Sequence, residues 1–137
     1  MKLSKTSEYA VRILAFMAKD EEKSFSAKYL VEKLRISDKY ARRLMTDLTK
    51  AALICSTQGR NGGYQFAKNI NNITIYEIID AVEGMDKYSG CILGFDECSD
   101  EHPCSMHAVW SSMRDRLIKT FRNTTLADLK IADTMKY

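Results

Sequence analysis

Three of the chain's four cysteines and both of its histidines fall in one stretch, Cys91-Ile-Leu-Gly-Phe-Asp-Glu-Cys98-Ser-Asp-Glu-His-Pro-Cys104-Ser-Met-His107. Thiolate sulfur and imidazole nitrogen are the ligands that soft and borderline metals prefer. Cys91, Cys98 and Cys104 are spaced more widely than the Cys-x-x-Cys pairs of common zinc modules. Wide spacing on a flexible loop suits a larger object than one ion, such as an iron–sulfur cluster. Cys104 and His107, three residues apart, would share a helical face, and a helix N-terminus there would favour the Cys104 thiolate. Asp96, Glu97, Asp100 and Glu101 act the other way, raising thiol pKa unless a bound cation offsets them. His102, just before the proline, reads as solvated, and Cys55, outside the segment, as a small buried hydrophobe.

The same residues admit other chemistry. A structural zinc site of Cys3His type would use all four ligands. A metal-free thiol switch would pair Cys91, Cys98 or Cys104 on oxidation. A Cys–His nucleophile needs an orienting acid and an oxyanion-type loop; neither is evident, so the chain is read as no enzyme, with no small-molecule substrate.

Ahead of this segment lies a run of short helices. Apolar residues from Tyr9 to Met17 recur near a period of 3.6 and predict a helix over Thr6 to Lys19. Ser26 caps a second helix to Leu34, Arg35-Ile36 turns the chain, and Ser37 caps a third that runs to about Ala52 with Ala41, Leu44, Met45 and Leu48 inward. Two short helices joined tightly, the second basic, describe a helix-turn-helix. Leu53 to Thr57 and Gly63 to Ala67 read as strands, and Asn61-Gly62 between them favours a hairpin turn with positive φ. The hairpin makes the unit a winged helix. Thr74-Ile-Tyr-Glu77 is a capping box opening a helix that Gly84 stops.

The reading is therefore mainly α: a winged helix-turn-helix over 1–84, a cysteine-bearing loop over 85–102, a long dimerisation helix over 103–123 and a C-terminal tail over 124–137. Pro103 is placed as the first residue of the long helix, whose Met106, Trp110, Met113, Leu117 and Phe121 form an apolar seam suited to a second subunit. Thr125-Leu-Ala-Asp128 predicts one more capped turn.

Charge follows the same division. Lys28, Lys33, Arg35, Lys39, Arg42, Arg43, Lys50 and Arg60 outnumber Glu32, Asp38 and Asp47 in the helix-turn-helix and wing, whereas the acidic segment from Tyr76 to Glu101 holds Lys87 as its one cation. A basic N-terminal part can neutralise phosphates that an acidic part would repel. Lys39, Tyr40, Arg42 and Arg43 are expected on or near the exposed face of the third helix, in the major groove, with Arg42 and Arg43 able to grip guanine with both arms. Arg60 and Asn61 at the wing tip would reach the minor groove or backbone. Paired readers imply double-stranded DNA with a partly palindromic site. With 137 residues, no apolar run long enough to span a membrane and no secretory core at Met1-Lys2-Leu3-Ser4, the expectation is a cytoplasmic protein with no membrane partner.

In these features the chain resembles the Rrf-type winged-helix transcriptional regulators, in the cysteine-containing branch of IscR and NsrR type. The residues that carry the likeness are the opening Met1-Lys-Leu-Ser with Tyr9-Ala-Val-Arg12, Ile36-Ser-Asp-Lys-Tyr40, the wing Gly59-Arg-Asn-Gly-Gly-Tyr64, the three cysteines and Thr125-Leu-Ala-Asp-Leu129. The resemblance implies a homodimeric regulator, expected to be a repressor, whose DNA affinity is switched by a cluster on Cys91, Cys98 and Cys104 that senses redox state, nitric oxide or iron–sulfur status. For the fourth ligand it offers His107, with a 2Fe–2S cluster, or Glu8 of the partner subunit, with a 4Fe–4S cluster; the family pattern has aspartate at the latter position. His107 and the 2Fe–2S form are favoured.

Overall fold

The computed structural model describes residues 2–131. Helix α1 (Lys5–Met17) is capped by Ser4, whose hydroxyl accepts from the Ser7 N–H. Its apolar stripe, Ala10, Ile13, Leu14 and Met17, is fully buried. A 3-10 turn (Ala18–Asp20) follows. Helices α2 (Ala27–Leu34) and α3 (Asp38–Lys50) begin at Ser26 and Ser37 as their capping potential predicts, each hydroxyl taking one orphan backbone N–H. Arg35, at φ 54°, supplies the left-handed residue that turns α2 into α3. Ala41, Leu44, Met45 and Leu48 of α3 point into the core.

Strands β1 (Ile54–Thr57) and β2 (Gly63–Phe66) pair antiparallel with Thr57 opposite Gly63, and Phe25 adds an isolated bridge to Tyr64. The expected positive-φ turn at Asn61-Gly62 does not form. The loop is five residues long, the Gly62 N–H closes onto the Gly59 carbonyl at 3.1 Å, and positive φ falls on Gly59 and Gly63 instead. Gly62 is still needed, because a Cβ there would collide with the Thr57 carbonyl.

Helix α4 (Ile75–Val82) opens on the predicted capping box, with both reciprocal hydrogen bonds of Thr74 and Glu77 made, and Gly84 at φ 79° ends it. Ile75, Ile78 and Ile79 enter the same core as α1 and α3. The next residues are not all loop: Met85 and Tyr88 are buried and pin a short helix, α5 (Asp86–Ser89), against the domain.

The long helix, α6 (His107–Asn123), starts four residues later than Pro103 suggests. A tight turn, with the His107 N–H on the Cys104 carbonyl at 3.1 Å, replaces its first turn. Cys104 and His107 are drawn to different partners, so they do not stack on one helical face as expected. The apolar seam divides: Leu117 and Phe121 pack on the chain's own core, whereas Met106 and Met113 are exposed.

Helix α7 (Leu126–Ile131) confirms the capped turn, with Thr125 and Asp128 exchanging hydrogen bonds. The segment expected to be a tail is held firmly over its described part. Ile75 N–H donates to Thr124, Leu126 N–H donates to Ile73, and the Leu126 side chain is fully buried. The rest of that expectation, 132–137, lies outside the described residues. Among the described residues no helix is long and apolar enough to cross a membrane.

Candidate nucleic-acid interface and cysteine centre

The outer face of α3 carries Lys39, Arg42, Arg43, Thr46 and Lys50, all exposed. Their spacing of three and four residues aligns them along one side, opposite the buried stripe. Arg42 Nε donates to Asp38 Oδ2 at 2.9 Å, which fixes the guanidinium over the helix's first turn. Tyr40 departs from the expected face. It is half-buried, its ring meets Tyr9 edge-on at 5.7 Å, and its hydroxyl donates to Thr6 Oγ1 at 2.7 Å. It therefore positions α3 on α1 rather than projecting from it. Arg60 and Asn61 are exposed at the wing tip, as expected.

In the cysteine segment the four expected ligands come together as two pairs. Cys91 Sγ and Cys104 Sγ are 3.8 Å apart, and Cys98 Sγ is 3.5 Å from His107 Nδ1. Among the described residues no three Cys, His, Asp or Glu side chains converge on one ion. Two ligands on a single tetrahedral metal, bound at about 2.0–2.3 Å, stand roughly 3.5–3.8 Å apart. Each pair thus has the spacing of two neighbouring ligands on one metal atom.

The local backbone explains how Cys91 is readied. The Phe95 N–H, helped by those of Leu93 and Gly94 and by the Cys104 thiol, lowers the Cys91 pKa against the cost of desolvation. The acidic neighbours were expected to raise it. They contribute nothing to it; the chain from Cys91 to Phe95 curls its own donors around the sulfur, with Gly94 at φ 82° making the bend. Asp96 and Glu97 are exposed to solvent.

Several residues here escaped sequence reasoning. Arg114 Nη1 donates to Cys98 Sγ at 3.0 Å, Trp110 Nε1 donates to the Gly90 carbonyl at 2.7 Å, and Asp100 Oδ1 lies 2.8 Å from His107 Nε2. Arg114 follows His107 by two helical turns and was legible on that ground; Asp100 carried no such signal. Its exposed carboxylate meets a buried ring. His102 is exposed, as expected, whereas Cys55 is not a buried hydrophobe: it faces solvent from β1, since only Ile54 of that strand turns inward. Glu8 pairs through Oε1 with Arg12 at 2.7 Å, and its buried Oε2 accepts no hydrogen bond among the described residues, with Lys5 Nζ at 3.6 Å.

A line of contacts runs from α3 to the helix just ahead of the cysteine segment. Tyr88, packed on Phe121 of α6, donates to Glu83, and the same carboxylate accepts from Ser4 and Ser7 of the α1 N-terminus at 2.5 and 2.7 Å. Burial raises the Glu83 pKa, but donation from the two serines, with Lys87 and Tyr88, more than offsets this and leaves it lowered. From α1 the line passes through Thr6 to Tyr40 of α3.

Comparison with known proteins agrees with this architecture. The family model Rrf2, described as an iron-dependent transcriptional regulator, matches residues 3–131. The HTH-type transcriptional regulator IscR of Escherichia coli is 31% identical over 130 residues, 94% of this chain and 80% of that protein. The structure of CymR, the global cysteine regulator of B. subtilis, superposes with a TM-score of 0.79 at 28% identity, over 96% of this chain and 98% of that one. The oxidised form of Staphylococcus aureus CymR gives 0.76 at 29% identity over the whole of both chains.

Proposed function

The chain belongs to the Rrf2 family, as a winged-helix, DNA-binding transcriptional regulator rather than an enzyme, and from that premise we propose that an iron–sulfur cluster on Cys91, Cys98, Cys104 and His107 switches its grip on DNA. The observation that carries this reading is the division of the four ligands into two pairs, each at the spacing of neighbours on one metal. A 2Fe–2S group needs two ligands at each of two irons, whereas a lone zinc ion needs all four at one point. The cluster, when bound, supplies reversible one-electron chemistry and a target for oxidants and nitric oxide. The chain supplies the curl of N–H donors on Cys91, the Arg114 contact on Cys98 and the ring of His107. Such contacts tune a cluster from outside its ligands.

The regulator acts as a homodimer. Met106, Val109 and Met113 form an exposed apolar strip on α6, and a second copy of α6 is its proposed cover. Two α3 helices then face a partly palindromic site, with Arg42 and Arg43 on base edges, Lys39 on phosphate, and Arg60 and Asn61 at the minor groove. Cys91, Cys98, Cys104 and His107 would hold the segment from Gly90 to Cys104 in place when loaded and leave it free when not, and the contacts from Tyr88 through Glu83 to α1 and α3 would pass that difference to the reader. Repression is the expected sign.

A second reading, a thiol switch, is favoured by one observation: the Cys91 and Cys104 sulfurs already lie 3.8 Å apart, close enough to pair on oxidation after a small movement. That a CymR has been seen in an oxidised form supports the same chemistry by likeness. The test compares DNA affinity of the cluster-loaded protein, the metal-free reduced protein, the peroxide-treated protein and Cys98→Ala. The cluster reading expects the loaded form alone to differ by a coupling of about 1–3 kcal/mol. The thiol reading expects the peroxide-treated form to differ and Cys98→Ala to behave as the parent. Equal affinity in all four discards both.

A further inference from the structure

We infer that Asp100 selects which nitrogen of His107 meets the cysteines, holding the proton on Nε2 and leaving the Nδ1 lone pair free to bind metal beside Cys98. The metal half of this inference rests on the cluster reading above; the proton half does not. His107 is 6% exposed, and its Nε2 edge meets the solvent-facing carboxylate of Asp100. Asp100 Oδ1 lies 2.8 Å from Nε2, and Cys98 Sγ lies 3.5 Å from Nδ1 on the other side of the ring. An ionised carboxylate only accepts hydrogen bonds, and a neutral imidazole carries one N–H. The nitrogen facing Asp100 therefore holds the proton. Arg114, which can only donate, approaches the Cys98 sulfur at 3.0 Å and so does not compete for Nδ1. The His107 backbone is tied to Cys104 by its N–H, which limits how the ring can swing. A carboxylate behind a ligating histidine fixes ring orientation and raises ligand basicity. Asp100 is thus a positioning residue, acting on the candidate centre through His107.

The proton half is tested on metal-free, reduced protein carrying isotope-labelled histidine, by proton–nitrogen correlation at about pH 8, above the ordinary imidazole range. The expected spectrum for His107 is the Nε2–H form, with a downfield ring proton slow to exchange. Asp100→Ala should lose that resonance. Asp100→Asn, whose amide oxygen still accepts, should keep it. Protonation at Nδ1, or a ring proton indifferent to Asp100→Ala, overturns the inference. The metal half is read on cluster-loaded protein in two ways. Cluster loss to a chelator should quicken by on the order of 10–100-fold in Asp100→Ala and much less in Asp100→Asn. Hyperfine spectroscopy of the reduced cluster should couple to label at Nδ1; coupling to Nε2 overturns the assignment. A cluster with no nitrogen coupling overturns the metal half together with the His107 ligand reading, and the metal-free spectrum separates that failure from a wrong ring assignment.

Discussion

Arg42 and Lys39 share an exposed face of α3 but differ in what they can read. Arg42 is braced by Asp38 through Nε, which leaves its two terminal nitrogens directed outward for a guanine edge. Lys39 is a mobile point charge suited to phosphate. Arg42→Ala should cost about 1–3 kcal/mol on the preferred site and relax the preference at one base position, while Lys39→Ala should weaken all sequences alike and lower the salt slope by about one. Competition gel shifts over single-base operator variants at several salt concentrations separate the two. Glu83 gives a second residue-scale expectation. Its folded pKa lies below the ordinary 4.5, so the ionised carboxylate stabilises the fold above that value, and the contribution fades as pH falls through the lower folded value. Urea unfolding between about pH 6 and pH 3 should show Glu83→Gln less stable than the parent at the upper end, with the gap closing toward the lower end. A constant gap would mean that Glu83 acts through packing alone.

At the scale of elements, the local chemistry of Ser26, Ser37 and Thr74 named their helices correctly, because a cap is settled by one side chain and the next three N–H groups. The start of α6 was illegible for the opposite reason. Pro103 is a sound first residue by local rules, but Cys104 is pulled toward Cys91 and His107 toward Cys98, and these tertiary partners set the true start at His107. The wing shows the same limit: the strand bounds gave the five-residue loop, but the positive φ that Asn61-Gly62 favours falls on Gly59 and Gly63 instead. Cys55 was misplaced because four short residues alternate too little to say which side is wet. In the segment 124–131 the capped turn was legible from Thr125 and Asp128, but its docking was not, because one buried side chain, Leu126, leaves no periodic signal. Leu126→Ala should cost about 2–5 kcal/mol in denaturant unfolding, as for a fully enclosed leucine. A loss below about 0.5 kcal/mol, the scale of surface changes, would show that α7 is not part of the folded unit.

Over the whole molecule, two bodies of chemistry share one small fold. The outer face of α3 is basic; the cysteine segment is acidic and lies against α6. The bonds from Tyr88 through Glu83 to Ser4 and Ser7, and from Thr6 to Tyr40, make α1 the link between α3 and the short helix α5 that precedes the cysteine segment. Contact alone does not establish coupling; two arrangements with different DNA affinity do. The exposed strip of α6 extends the argument to a pair of chains: Val109 and Met113 are 59% and 60% exposed while Leu117 and Phe121, further along the helix, are packed. Met113→Asp should shift sedimentation from dimer to monomer and weaken palindrome binding by more than it weakens a half-site, with the unfolding midpoint of the monomer nearly unchanged. A variant that stays dimeric would place the subunit contact elsewhere.

The most direct measurement is the visible absorption spectrum of protein purified without oxygen, taken with iron, sulfide and zinc counts on the same sample. The expected result is a coloured protein with iron and acid-labile sulfide in equal amounts, about two of each per chain, and little zinc. Colourless protein, with zinc near one per chain or with no metal at all, would contradict the assignment of a cluster to Cys91, Cys98, Cys104 and His107.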